Sequence, residues 1–68
     1  MTVSTQLQTA IASVESAASS CKTFALNTQD QNAKQVFLDS SNTLEVVAAQ
    51  LKGRQSYIEQ QEPQYKQI

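Results

Sequence analysis

Histidine and tryptophan are absent from this 68-residue chain, and cysteine, glycine and proline occur once each. Each gap removes a class of function. Without histidine the usual Cys/His zinc sets cannot be assembled, nor the Glu-x-x-His pairs of a di-iron bundle. There is no Ser/His/Asp set, no CxxC and no glycine-rich phosphate loop. The lone Cys21 cannot close an intramolecular disulfide. Small scaffolds gain stability from disulfides, a metal or association, so association is the remaining route. One glycine and one proline leave too few turns for a β-protein and do not make the composition of a disordered segment. Charge is scarce too: Lys+Arg 5 against Asp+Glu 6 gives a net charge of −1. That lacks the long-range attraction a nucleic-acid binder needs. No stretch approaches the roughly 18 apolar residues of a membrane span. The first thirty residues carry neither the basic start nor the apolar run of a secretory signal, and one free thiol suits a reducing compartment. The expectation is a soluble cytoplasmic helical protein with no direct membrane insertion and no cofactor or metal.

What is present is periodic. Leu7, Val14 and Cys21 recur every seven residues, with the pairs Ala10/Ile11, Ala17/Ala18 and Phe24/Ala25 between them. Spacing of three and four makes one helical face apolar. Ser13, Glu15, Ser16, Ser19 and Lys22 occupy the other face, and Thr2 or Ser4 is placed to cap the start. Six polar residues, Asn27 to Asn32, then break the pattern. Asn27 suits the left-handed residue that closes a helix, Thr28 or Asp30 suits the next cap, and Asp30 with Lys34 forms an i,i+4 pair.

The second stripe is stricter: Phe37, Leu44, Leu51, Ile58 and Tyr65 stand seven apart, with Ala33, Val47 and Ala48 filling in. Ser40, Ser41, Arg54 and Gln55 fall at the same intermediate positions and are polar. An exact repeat of seven implies gentle left-handed supercoiling. Gly53 weakens this helix by roughly 1 kcal/mol relative to alanine, and Pro63 stops it. The chain reads as one domain: a helix over about 3–27, a turn at 28–30, a helix over about 31–62 and a tail at 63–68. A short turn makes the two helices an antiparallel hairpin. Val36, Val46 and Tyr57 widen the apolar surface of the second helix beyond what one partner covers. The predicted fold is therefore all-α, an antiparallel two-helix hairpin paired with a second copy into a dimeric four-helix bundle. A loosely packed monomeric hairpin is the alternative. The predicted self-association stripe is Leu7, Val14, Phe24, Phe37, Leu44, Val47, Leu51 and Ile58.

No residue set argues for catalysis. Asp39 and Glu45 flank the stripe and suit a solvated face. Cys21 lies on the apolar face, where cysteine usually acts as a small hydrophobe, and its neighbour Lys22 points elsewhere on a helix. The protein is expected to be non-enzymatic.

The order of segments resembles a small bacterial family, domain-of-unknown-function family 1657. The matching pieces are MTVSTQLQTAIASVESA at the start, FALNTQDQNAKQVF across the turn and YIEQQEPQYK at the end. The family's motif residues fall here on Phe24, Ala25, Leu26, Ala33, Lys34, Phe37, Glu62, Pro63, Tyr65 and Lys66. The resemblance implies a protein of endospore-forming Firmicutes with an accessory role near a spore membrane protein, in the spore or at its inner membrane through that partner. It implies no catalytic residues. Tyr57, Glu62, Pro63, Tyr65 and Lys66 form a candidate partner-docking tail. A structural lid is the other reading, with Tyr65 folded over the open end near Val3 and Leu7. The expected function is a helical interaction and assembly module, a homodimer that does not bind nucleic acid; the alternative is a small spore-associated nucleic-acid-binding protein.

Overall fold

A computed structural model of the chain describes residues 3–61. Two helices, α1 (Val3–Asn27) and α2 (Gln31–Gln61), pack against each other as a hairpin. The turn between them is built from side-chain caps. The Asp30 Oδ1 atom accepts hydrogen bonds from the backbone N–H of Asn32 at 3.0 Å and of Ala33 at 3.5 Å, which satisfies two orphan donors of α2. Thr28 Oγ1 accepts from the Asp30 N–H at 3.4 Å. The Thr28 N–H donates to the Phe24 carbonyl at 3.0 Å and closes α1. No residue in the described chain has positive φ, so Asn27 does not adopt the left-handed closure expected of it. The ion pairs among the described residues are Lys22–Glu45 and Lys52–Glu15; the expected Asp30–Lys34 pair is not one of them, because the Asp30 carboxylate serves the cap. Replacing Asp30 with alanine should cost about 1 kcal/mol and lower the melting midpoint by about 4–8 °C, measured by thermal circular dichroism.

The seam is made of small side chains. Its buried apolar members are Ile11, Ala18, Ala25 and Ala48, joined by two buried hydroxyls, Ser4 and Ser41. Ser4 therefore lies inside α1 and on the seam; Thr2 is outside the described residues. On α1 the buried row is Ser4, Ile11, Ala18 and Ala25, one heptad apart. On α2 the matching row is Lys34, Ser41, Ala48 and Gln55, buried at Ser41 and Ala48 and half-buried at its two ends. Ser41 is fully buried, and its hydroxyl donates to the Ala18 carbonyl of the facing helix at 3.1 Å. Such small residues let the axes approach toward the near end of the usual 8–10 Å range.

The expected stripe is thus rotated. Phe37, Leu44, Leu51 and Ile58 are half-buried on the flank of the seam rather than at its centre. Of each pair expected on α1, Ile11, Ala18 and Ala25 point inward while Ala10, Ala17 and Phe24 are exposed. The contact line holds alanine, serine and one isoleucine, and the bulkier side chains stand beside it.

Gly53 is exposed, and a Cβ added there meets nothing within 4 Å. Gly53→Ala should therefore stabilise the hairpin by up to about 1 kcal/mol, read as a raised midpoint in urea at unchanged slope.

Candidate functional site

The hairpin is a rod one helix thick, with extents of 49 × 17 × 11 Å. Its radius of gyration is 15.3 Å, against about 11 Å for a compact domain of this length. A single layer has two broad faces, and here they differ in chemistry. Leu7, Val14 and Cys21 follow the buried row of α1 by three residues, and Phe37, Leu44, Leu51 and Ile58 follow the buried row of α2 by three. Glu15 and Lys22 follow it by four on α1, as do Glu45 and Lys52 on α2. Residues three and four positions on lie on opposite flanks of a helix. In an antiparallel pair, like flanks of the two helices share one broad face.

The contacts agree. On one face the rings of Phe24 and Phe37 meet with centroids 5.5 Å apart, tilted by 43°, within the usual range for aromatic pairs. They close the turn end as their placement around the break predicts. On the other face Lys22 Nζ reaches Glu45 Oε2 at 2.5 Å and Lys52 Nζ reaches Glu15 Oε2 at 2.6 Å. Both pairs are about half-exposed, so each contributes no more than about 1 kcal/mol. Their larger effect is to neutralise that face. A groove of about 440 Å³ lies between them, floored by Ala18, Ala48 and Ala49.

The apolar face gathers Leu7, Val14, Leu44, Val47, Leu51 and Ile58, each half-buried. Phe24 adds a ring that is 56% exposed, and the Cys21 thiol is free and half-buried among them. Arg54 is the charged residue of this flank, one position before Gln55 in the row of Ala33, Ser40 and Val47. Its guanidinium lies over the Tyr57 ring, 5.0 Å from the centroid, a cation–π distance. Tyr57 itself is exposed and points away from the apolar face together with Val36 and Val46. Those three therefore do not widen the stripe as expected; they stand on the outer side of α2. Glu62, Pro63, Tyr65 and Lys66 lie outside the described residues, and with them the choice between lid and docking tail.

Among the described residues no group of three or more metal-ligating side chains comes together, and every buried side-chain polar atom has a hydrogen-bond partner. Asp39 Oδ1 accepts from Gln35 Nε2 at 2.8 Å one turn away, and Glu45 is held by Lys22. No described helix is long and apolar enough to cross a membrane. The cross-helix ion pairs were missed by sequence reading, which placed Glu15 and Lys22 on a water-facing side. A signal was present: Glu-x6-Lys occurs once in each helix, at Glu15/Lys22 and at Glu45/Lys52.

The family described as a protein of unknown function (DUF1657) matches residues 7–54, a span holding both ion pairs, the phenylalanine pair, the caps and the buried Ser41. The chain belongs to the DUF1657 family. The matched span ends before Tyr57, so the tail that carried part of the sequence resemblance lies beyond it. No curated protein matches the chain, and no solved structure does. Within the matched span the features described here form a two-faced hairpin, one face closed by ion pairs and one left apolar.

Proposed function

We propose that this protein is a non-enzymatic helical assembly module whose apolar broad face pairs with a second copy to form a four-helix bundle. The observation that carries the reading is the division of labour between the faces. A single helical layer cannot cover its own apolar flank and needs a second layer. The extents of 49 and 17 Å give the face an area of about 800 Å², the share each partner contributes to a standard stable interface. A second copy presents the same area with the same apolar chemistry, the self-complementary arrangement of a two-fold dimer. The nucleic-acid alternative is weakened, since Lys22 and Lys52 are engaged in intramolecular ion pairs. An accessory role beside a spore membrane protein rests on the family resemblance alone; recovery of that partner by the tagged protein from sporulating cells tests it.

The dimer is tested by sedimentation equilibrium of the full chain over a wide concentration range. Twice the chain mass is expected at micromolar concentrations. A folded monomer at the highest concentration overturns the reading.

A further inference from the structure

The two helices repeat one another. Glu15, Ala18 and Lys22 recur thirty residues later as Glu45, Ala48 and Lys52, and on the apolar flank Leu7, Val14 and Cys21 recur as Phe37, Leu44 and Leu51. In an antiparallel pair a constant shift of this kind is a pseudo-two-fold axis normal to the broad faces. It exchanges the Glu15–Lys52 pair with the Glu45–Lys22 pair. The apolar face therefore looks nearly the same turned end for end. A second copy has two ways to sit on it, with the two turns at the same end or at opposite ends.

One row breaks the symmetry. On α1 it is Val3, Ala10, Ala17 and Phe24; on α2 it is Ala33, Ser40, Val47 and Arg54. Each precedes the buried row by one residue, so both stand toward the second layer. We infer that in the dimer, which rests on the reading proposed above, the two hairpins pair with their turns at the same end.

Side-chain volume favours this orientation. Ala18 faces Ser41 and Phe24 faces Phe37 across the seam, which sets the level of every residue along the rod. With the turns together, α1 of each copy lies over α2 of the other. Along that contact the order is Val3, Arg54, Ala10, Val47, Ala17, Ser40, Phe24, Ala33, alternating between the copies. Val47 stands between two alanines, and Phe24 stands between a serine and an alanine. Large against small is how a core reaches native density without strain. The two helix–helix contacts are then identical, so the bundle is evenly thick. With the turns at opposite ends, α1 lies over α1 and α2 over α2. At the levels set above, Val3 would meet Phe24 and Ala10 would meet Ala17 on one side, while Ala33 would meet Arg54 and Ser40 would meet Val47 on the other. The apolar flanks add Leu7, Val14 and Cys21 of both copies to the first side and the larger Phe37, Leu44 and Leu51 of both to the second, so one side would be thin and the other thick. The bundle would have to splay, leaving gaps that forfeit contact on the thin side.

A same-end dimer is polar along its length. The exposed Leu26, Val36 and Leu38 of both copies gather at the turn pole, and the Gln61 ends of both α2 helices lie at the other.

Pulsed dipolar spectroscopy decides the orientation. Gln29 is exposed in the turn, so Gln29→Cys in a Cys21→Ser background carries a nitroxide clear of the apolar face. Turns together place the two labels about 20 Å apart, two helix diameters. Turns apart place them at about 40 Å or more, since each turn lies about 14 residues from the pseudo-axis at 1.5 Å per residue. Sedimentation of the same sample separates the two proposals. A dimer with the short distance supports the inference. A dimer with the long distance overturns the orientation and leaves the dimer standing. A monomer overturns both.

Discussion

Ser41→Leu is expected to lower the melting midpoint by about 10–20 °C, corresponding to about 2–3 kcal/mol at 4–8 °C per kcal/mol for a domain of this size. Ser41 has 0% exposure at the centre of the seam and its hydroxyl reaches the Ala18 carbonyl. Leucine would act as a wedge. It would force α1 and α2 apart where Ala18 and Ala48 pack, and that contact cannot be recovered elsewhere in a layer one helix thick. A core this small supplies at most about 3–5 kcal/mol in total, so the variant should be partly unfolded at body temperature. Ser41→Ala is the matched comparison. It keeps the seam thin and removes one hydrogen bond, worth about 1 kcal/mol or less here, because the Ala18 carbonyl sits within α1 and keeps its helical partner. Circular dichroism melts of the three proteins give the answer. Should Ser41→Leu match or exceed the stability of Ser41→Ala, the seam would not run through Ser41, and the Leu44 row would be its centre instead.

Val47→Glu should dissociate the proposed dimer, raising its dissociation constant by about a hundredfold or more, while Val46→Glu should leave it intact. The two residues are adjacent in sequence and identical in chemistry. Val47 is half-buried on the apolar flank, and Val46 is 58% exposed on the outer side of α2. A carboxylate at position 47 would be carried by each copy into the interface, where an unpaired charge costs several kcal/mol. The same carboxylate at position 46 stays in water. Sedimentation equilibrium of both variants over a common concentration range measures the difference. Equal association of the two would mean that the apolar face is not the interface. Disruption by Val46→Glu alone would move the interface to the outer side of α2. Helicity of the Val47→Glu monomer, followed by circular dichroism, reports in addition whether the hairpin holds its shape without a second layer.

Much of the fold was legible in order of residues. The break at Asn27–Asn32 is a run of side chains that compete with the helical backbone, and Asp30 caps α2 for that reason. The spacing of Phe24 and Phe37 around that break placed their rings together. The two-faced character was partly readable as well: Glu-x6-Lys in both helices, in the same phase relative to Ala18 and Ala48, marks one shared flank.

What the residues alone determined is therefore two helices, their junction and a heptad period. Which row of each helix faces the other was decided only by the tertiary structure. Rows three or four residues apart sit close together on a helix surface, and a period of seven is the same for all of them. Hydrophobicity favours the Phe37, Leu44, Leu51 and Ile58 row. The packing favours Ser41 and Ala48, because two helices approach each other most closely along their smallest side chains, here Ala18 and Ala25 against Ser41 and Ala48. That choice depends on both helices at once. It turns the large apolar row to the flank, where one layer cannot cover it, and that uncovered flank is the surface on which the proposed assembly rests.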